Sequence, residues 1–372
     1  MASEVPAIGL LADLRSALDR VTRPPMAGVA AAVILASLLV VVAVHLAGLK
    51  SPSSGHIETG TGDFLAFWTG AVALHEGNGA SLYDFAAQRD LQVHILGGVS
   101  ESFQPYLNPP LLALLLSTIV PLGFVPAFYA FVSVCAACLV LGLGALLRVV
   151  PTIRHQPGAA WTLVLAIASY QPMLETTFGG QNTPITFALL AALSLALQRR
   201  STLLAALVLG LLTFKPQYAV GAGLALLFAG QWRVISGGAV VGLAHWLIGA
   251  WWSGLAWPLD MLAFLRVQRP LELSANAWDH FSAVTVAHAT LPTPLDSAVA
   301  ALAAALVLAA WWRFRELGRS GDPAWLALVI CGTMLASPHQ QYYDVALLTL
   351  PIALLVDRHL AEHRPDAEPA SR

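Results

Sequence analysis

Apolar residues fill most of this chain in long runs that short polar segments interrupt. The first run, residues 27–49, has 23 residues, and about 20 are enough to cross a bilayer. Ten further runs follow, at residues 109–122, 124–147, 159–175, 184–198, 202–214, 217–230, 234–252, 298–312, 324–337 and 343–356. Most of them have 17 residues or fewer, so we expect these helices to be short, broken or re-entrant, or to extend into polar flanks. The pattern predicts an all-α polytopic membrane protein with about 10–12 transmembrane helices.

The segments that flank these runs indicate the domain organisation. Residues 1–26 carry three arginines and four leucines at helical spacing, which predicts a short amphipathic arm on the cytoplasmic membrane surface. The run at 27–49 is longer than a signal-peptide core, and no small-residue cleavage site follows it, so we interpret it as a retained anchor. Residues 27–356 then form one membrane domain, and residues 357–372 form a polar cytoplasmic tail.

The placement of lysine and arginine predicts the orientation, because cytoplasmic loops are enriched in both. The favoured scheme puts both termini in the cytoplasm, together with the short loops at residues 148–158, 199–201, 231–233 and 313–323. That side then holds 14 of the 19 lysines and arginines. The scheme needs ten crossings and one segment, 109–122, that re-enters from the outer side. Pro121, Gly123 and Pro126 could equally mark an inner turn.

Two long outer loops, residues 50–108 and 253–297, carry candidate chemistry. The first contains Asp63, followed by aromatic residues at helical spacing. This spacing predicts a helix that lies along the membrane with its aromatic side chains in lipid. Asp63 then lies at the boundary of water and lipid, either as the N-cap of that helix or as a reactive carboxylate. Residues 83–96 predict a second surface helix.

Composition narrows the class of protein further. Apolar residues make up 57% of the chain and charged residues 11%, whereas soluble domains carry about 25% charged residues. A disordered chain, a coiled coil and an ordinary soluble enzyme are therefore excluded. The net charge of −2 argues against a nucleic-acid partner. The three cysteines lie in apolar runs and indicate neither a disulfide scaffold nor a metal site.

Polar side chains also gather where later apolar runs end. Glu175 ends one run, and Gln181 and Asn182 follow a pair of glycines. A helix break explains Asn182 as an N-cap and Pro184 as a first-turn residue. It does not explain Glu175 or Gln181, which are costly near hydrocarbon unless they face water or a partner.

Two further polar positions lie between apolar runs. Lys215, one of only two lysines, either snorkels from a Pro-kinked helix end or binds an anion. The nearly all-polar segment 337–344 predicts a helix break that lines a cavity.

Taken in order, these segments resemble glycosyltransferase family 87. The motifs that carry the resemblance are GDFLAFW at 62–68, Gly79 to Asp84, Tyr-x-Asn-Pro-Pro at 106–110, GGQN at 179–182, LLTFKPQ at 211–217 and SPHQQYYD at 337–344. The family belongs to the GT-C superfamily and includes bacterial polyprenyl-phosphate-mannose-dependent α-mannosyltransferases. The resemblance covers roughly residues 27–356. Asn108 stands where the family commonly has a tyrosine.

The resemblance implies a GT-C fold in the bacterial inner membrane, with the active site on the outer face. A hexose, mannose above all, would move from a polyprenyl-phosphate donor to a glycan or glycolipid acceptor. Asp63 matches the expected catalytic base of an inverting transfer. The other candidate positions bind the donor phosphate or the substrates: Lys215, His339, Gln181, Asn182, Asn108, Glu175, Tyr342, Arg266, Arg269 and Asn276. No cofactor is required, and the sequence leaves a divalent metal undecided.

Two other classes of function stay open. A secondary transporter would carry an inverted repeat with polar residues at mid-membrane, whereas here the polar residues gather at the outer ends. A non-catalytic flippase or scaffold of an envelope-glycan pathway would use Asp63 only as a helix cap. The sequence does not specify the sugar, the acceptor or the lipid chain length.

Overall fold

A computed structural model describes residues 63–98, 103–276, 281–338 and 340–363, with a few positions between 29 and 40. The predicted arm at 1–26 and the C-terminal residues after 363 lie outside this part of the chain. Within it, the regular structure consists of α-helices and short 3₁₀-helices, with no β-strand. The chain is therefore an all-α protein, as its apolar pattern predicts.

From residue 63 to residue 363 the described residues form seventeen α-helices, which we number in chain order. They are α1 (Phe64–His75), α2 (Phe85–Leu96), α3 (Pro110–Ser117), α4 (Phe124–Val149), α5 (Pro151–His155), α6 (Ala159–Ser169), α7 (Gln171–Phe178), α8 (Thr183–Gln198), α9 (Thr202–Leu211), α10 (Pro216–Phe228), α11 (Trp232–Ser253), α12 (Trp257–Asn276), α13 (Ala283–Thr290), α14 (Leu295–Arg313), α15 (Arg315–Ser320), α16 (Ala324–Ala336) and α17 (Thr349–Glu362). The 3₁₀-helices are Gly79–Ser81, Val120–Leu122, Leu212–Phe214 and Tyr342–Leu348.

Three of these helices, α4, α11 and α14, are long and apolar enough to cross a membrane. Helices α7 and α8 together form a fourth candidate span, bent by 115° at a break between them. Several other apolar runs form helices of 10–17 residues, in agreement with the expectation of short or broken segments. The chain is thus a multi-pass membrane protein. The number of crossings and their direction stay predictions.

Two hydrophobic clusters form the interior. The larger one is built around α8, α9, α10, α16 and α17, and the smaller one around α1, α3 and the first half of α4. Helix α8 packs along α4, and α9 packs along α11. The segment predicted to re-enter divides into α3 and the 3₁₀-helix Val120–Leu122, and Gly123 with a φ of 82° separates it from α4.

Helix α1 corrects one expectation, because its aromatic side chains face protein and not lipid. Every residue from Phe64 to Leu74 is buried. The Phe64 ring lies 5.3 Å from the rings of Phe124 and Phe128, in edge-to-face geometry with both. A helix that is apolar on all sides is stabilised by burial on all sides, and aromatic pairs add about 0.5–1.5 kcal/mol each. Asp63 is therefore held at the end of a rigid, enclosed helix.

Helix α2 forms as predicted at residues 83–96. The Asp84 carboxylate accepts a hydrogen bond of 2.8 Å from the Ala87 N–H, and Gly97 ends the helix in the left-handed conformation. Its inner side carries two buried glutamines, and Gln88 accepts a 2.7 Å hydrogen bond from the Tyr106 N–H. These contacts fix the loop that leads into α3.

Candidate active site

A cavity of about 380 Å³ lies where the ends of several helices meet. Its wall comes from the start of α1, the loop before α3, the break between α7 and α8, the junction of α9 and α10, and the segment that contains Gln341 to Asp344. These are the positions of the polar motifs in the sequence. The cavity thus brings together polar side chains that lie up to about 280 residues apart.

Asp63 occupies the N-cap position of α1, yet its side chain makes no cap hydrogen bond. Its Oδ2 accepts hydrogen bonds from the Gln181 side-chain amide and, at 3.2 Å, from the Tyr343 hydroxyl. Within the described part of the chain, Oδ1 accepts no hydrogen bond, and Asp63 lines the cavity. The side chain therefore belongs to the site and does not serve as a helix cap.

The surroundings of Asp63 shift its acidity. Burial raises the pKa of the Asp63 carboxyl above its ordinary value, because desolvation disfavours the charged form. The hydrogen bonds from Tyr343 and Gln181 and the charge of Lys215 act in the opposite direction, while the charge of Asp344 adds to the increase. A carboxyl group with a raised pKa is a stronger base than a solvated one, which suits proton abstraction.

The break between α7 and α8 explains how polar residues enter this region. Gly180 adopts a φ of 75°, a left-handed conformation that glycine adopts without strain. The turn directs the Gln181 side chain to Asp63, and the Gln181 carbonyl accepts a hydrogen bond of 3.3 Å from the Cys135 thiol. Both the side-chain amide and the backbone carbonyl of Gln181 therefore have hydrogen-bond partners, although Gln181 lies between two apolar helices.

Asn182 and Asn108 form a second polar contact in the wall. The Asn182 Nδ2 donates to the Asn108 Oδ1 at 3.1 Å, and Asn182 makes no cap hydrogen bond to α8. The Asn108 carbonyl accepts a 2.7 Å hydrogen bond from the Tyr83 hydroxyl. The Asn182 Oδ1 is buried and has no partner among the described residues, so its acceptor is unsatisfied there.

Lys215 is buried in the cavity wall and does not snorkel to solvent. Its Nζ lies 2.5 Å from the Asp344 Oδ1 and 3.3 Å from the Thr183 Oγ1. The Asp344 Oδ2 accepts a further hydrogen bond of 2.7 Å from the Gln340 amide. Asp344 ends the polar segment 337–344, but no local pattern in the sequence indicates that its partner is Lys215.

Glu175 lies near Tyr342 at the cavity wall, and both side chains line the cavity. The Tyr342 hydroxyl donates to Glu175 Oε1, and the Gln171 amide donates to Oε2 at 2.5 Å. The Tyr342 hydroxyl therefore lies against Glu175, and its role as a substrate contact stays a prediction.

Two of the remaining predicted positions, Arg266 and Arg269, do not line the cavity. Arg266 is exposed on α12, and Arg269 lies outside the lining, with two guanidinium nitrogens that lack a partner among the described residues. Gln268, between them, lines the cavity instead. His339 and the side chain of Asn276 lie outside the described residues. Lys215 is the only lysine or arginine in the described lining, where it faces three carboxylates.

The carboxylates of the lining do not form a metal cluster in the described part of the chain. No group of three His, Cys, Asp or Glu side chains there is arranged to hold a metal ion. Asp344 is neutralised by Lys215, and Glu175 is hydrogen-bonded to Tyr342. Asp63 is left as the carboxylate that has an oxygen without a protein donor.

Fold and site define an all-α membrane protein with a polar, carboxylate-bearing cavity among its helix ends. The model of glycosyltransferase family 87 matches residues 106–338, which is more than half of the chain. The chain belongs to glycosyltransferase family 87, and as a glycosyltransferase it acts on a sugar donor and an acceptor. No curated protein and no solved structure matches it. Asp63 and Asp344 lie outside the matched residues, so their roles depend on the geometry of the cavity.

Proposed function

We propose that the protein transfers a hexose, mannose above all, from a polyprenyl-phosphate donor to a glycan or glycolipid acceptor on the outer face of a bacterial inner membrane. Asp63 is the general base. The observation that carries this proposal is the environment of its carboxylate. Asp63 lines the cavity and does not cap its helix, and its Oδ1 accepts no hydrogen bond from the described residues.

In the proposed reaction, Asp63 Oδ1 takes the proton of the acceptor hydroxyl as its oxygen attacks the anomeric carbon. The bond from that carbon to the phosphate oxygen breaks, and the polyprenyl phosphate leaves with the electron pair. A single displacement of this kind inverts the anomeric centre and needs only one reactive carboxylate. General-base catalysis contributes typically about 10²–10⁴-fold to the rate.

Lys215 is the residue that we propose for the donor phosphate. An ammonium group has three N–H donors, and two of those of Lys215 reach Asp344 and Thr183. The third is left for a phosphate oxygen, where a charge-assisted hydrogen bond stabilises the leaving group. His339, Arg266 and Arg269 stay candidates for additional cations, and Asn276 for a polar contact.

The polar side chains that line the cavity with Lys215 suit sugar hydroxyls. The unpaired Asn182 Oδ1 accepts a hydrogen bond, and Asn108, Gln181, Glu175 and Tyr342 supply further donors and acceptors. Such groups fix the orientation of a bound hexose and bring its anomeric carbon near the acceptor hydroxyl. The scheme requires no cofactor.

The test is sugar transfer in reconstituted proteoliposomes with radiolabelled polyprenyl-phosphate mannose and a panel of glycan and glycolipid acceptors. Wild type is compared with Asp63→Asn, which we expect to be about 10²–10⁴-fold slower with donor binding retained. The matched control is Asp84→Asn, because asparagine caps helix α2 as well as aspartate does. Parallel assays with a chelator determine whether a divalent metal is needed.

The outcomes separate the competing functions. A wild-type rate in a folded Asp63→Asn variant would contradict the assignment of the base. A product with the donor's own anomeric configuration would contradict a single displacement. Uptake of a labelled solute without transfer to any acceptor would favour a secondary transporter, and translocation of the lipid donor alone would favour a flippase.

A further inference from the structure

A second cavity, of about 240 Å³, lies at the end of the helices that is opposite to the candidate active site. Helix α8 begins at Thr183, beside Lys215, and its last turns at Ala196 and Leu197 line the second cavity. Its 16 residues span about 24 Å at 1.5 Å per residue. Helices α9 and α10 connect the same two regions, so the two cavities lie at opposite ends of these helices.

Two arginines line this second cavity, and no carboxylate among the described residues does. The Arg200 guanidinium forms no hydrogen bond or ion pair within the described part of the chain. Arg319 donates from Nη1 to Glu316 at 2.6 Å and from Nε to the Ala229 carbonyl at 3.2 Å. Its Nη2 group has no acceptor among the described residues. Two guanidinium groups at one cavity favour an anion with several acceptor oxygens.

The first turn of helix α9 adds further donors to the same cavity. The Ser201 side chain makes no cap hydrogen bond, and the first N–H bond of the helix runs from Ala205 to the Ser201 carbonyl at 2.9 Å. The N–H groups of residues 202–204 therefore precede the hydrogen-bonded turns. The Ser201 and Thr202 side chains line the cavity. An uncapped helix start carries partial positive charge and binds phosphate readily.

Apolar side chains on the lipid-facing surface continue from this cavity. Leu203 is 84% exposed, and Leu207 lies one turn further along the same face of α9. Trp232, next to the lining residue Gln231, is 63% exposed, and tryptophan is typical of the membrane interface. An acyl chain would therefore have an apolar surface to lie on directly beside the cationic cavity.

We propose that this cavity binds the phosphate head group of an anionic phospholipid, with its acyl chains along α9. The head group contacts Arg200, Arg319 and the first turn of α9. Basic pockets between membrane helices bind anionic head groups in this way. The site is independent of the proposed transferase chemistry, because it is built from the opposite helix ends.

The test uses the purified full chain in nanodiscs of phosphatidylcholine with increasing phosphatidylglycerol. We expect phosphatidylglycerol to raise the wild-type Tm and to be retained in native mass spectrometry. The double variant Arg200→Gln/Arg319→Gln should lower lipid occupancy by at least about fivefold and abolish the shift in Tm. Arg233→Gln is the matched control, because it removes a charge near the start of α11 but outside the lining.

The controls give each outcome a definite meaning. Equal Tm values of all variants in pure phosphatidylcholine, together with monodisperse elution, show that the substitutions leave the fold intact. An equal loss of the lipid response in Arg233→Gln would indicate general attraction to the anionic surface and contradict a specific site. A Tm shift of the same size from glycerol phosphate or inorganic phosphate in phosphatidylcholine would contradict the assignment to a lipid.

Discussion

The Lys215 ammonium lies 2.5 Å from the Asp344 carboxylate, and both side chains are less than 10% exposed. The pair joins the junction of α9 and α10 to the 3₁₀-helix Tyr342–Leu348, which lies 129 residues further along the chain. Thr183 hydrogen-bonds to both members of the pair, which adds the start of α8. Three separate segments of the cavity wall are thus held together by one buried charge pair.

Removal of one charge from this pair should destabilise the protein strongly. We expect Asp344→Asn or Lys215→Met alone to cost about 3–5 kcal/mol of unfolding free energy, because the remaining charge is buried without its partner. The double variant Lys215→Met/Asp344→Asn should lose less unfolding free energy than the two single variants lose in sum. Unfolding in detergent micelles at graded denaturant concentrations measures all four proteins. Additive losses would show that the two side chains are not coupled.

The same variants separate structure from substrate binding. If Lys215 contacts the donor phosphate, the double variant should recover stability but keep a raised KM for the donor. Recovery of both properties together would assign Lys215 a structural role only.

The rate of transfer should fall on the acid side at a higher pH than for an ordinary aspartate. Burial raises the pKa of the Asp63 carboxyl, and the base must be deprotonated to accept a proton from the acceptor. Activity should therefore be full above this raised pKa and be lost as the pH falls through it. A kcat/KM profile between pH 4 and 8 measures the acid limb, at about 0.25-unit steps across the expected range. An acid limb at the ordinary aspartate value would contradict this account of Asp63.

Tyr343→Phe should move that acid limb to still higher pH. The Tyr343 hydroxyl donates to Asp63 Oδ2 at 3.2 Å and lowers the carboxyl pKa, so its loss raises the pKa further. At high pH, where Asp63 is ionised in both proteins, the rate should change much less than at low pH. Tyr129→Phe is the control, because Tyr129 lies on α4 outside the cavity lining. A uniform decrease at every pH would indicate a packing role for Tyr343.

Much of this site could be predicted from the sequence because polar residues are costly beside hydrocarbon. That cost identifies Gln181, Glu175 and Lys215 as candidate site residues even when their contacts are unknown. All three line the cavity. The all-α class follows from the apolar runs in the same way. The family model supports the same resemblance over residues 106–338.

The partners of these residues could not be predicted, because they depend on contacts between distant segments. No local pattern indicates that Lys215 pairs with Asp344 or that Tyr343 reaches Asp63. The prediction that the aromatic side chains of α1 lie in lipid is wrong for a related reason. The aromatic spacing is the same whether a helix faces lipid or protein. Only the packing of Phe64 against α4 distinguishes the two.

Gly70→Ala should destabilise the wall of the cavity through Tyr106. A Cβ on Gly70 would lie 2.7 Å from Tyr106 Cδ2, and the fully buried ring cannot move away easily. Its hydroxyl donates to the Pro109 carbonyl at 2.6 Å and accepts from the Ala113 N–H at 3.1 Å. We expect the free energy of unfolding to fall by about 1–3 kcal/mol. Transfer activity should also fall, because Tyr106 lies two residues before Asn108, which lines the cavity.

Gly223→Ala, in α10, is the matched control for that substitution. A Cβ there meets no atom within 4 Å, so the change only improves helix propensity, by up to about 1 kcal/mol. Thermal unfolding of both variants in the same detergent gives the comparison, with Gly70→Ala melting below wild type and Gly223→Ala at or above it. A Gly70→Ala protein with wild-type Tm and activity would show that the Tyr106 ring is free to shift, and that the loop before α3 does not depend on its position.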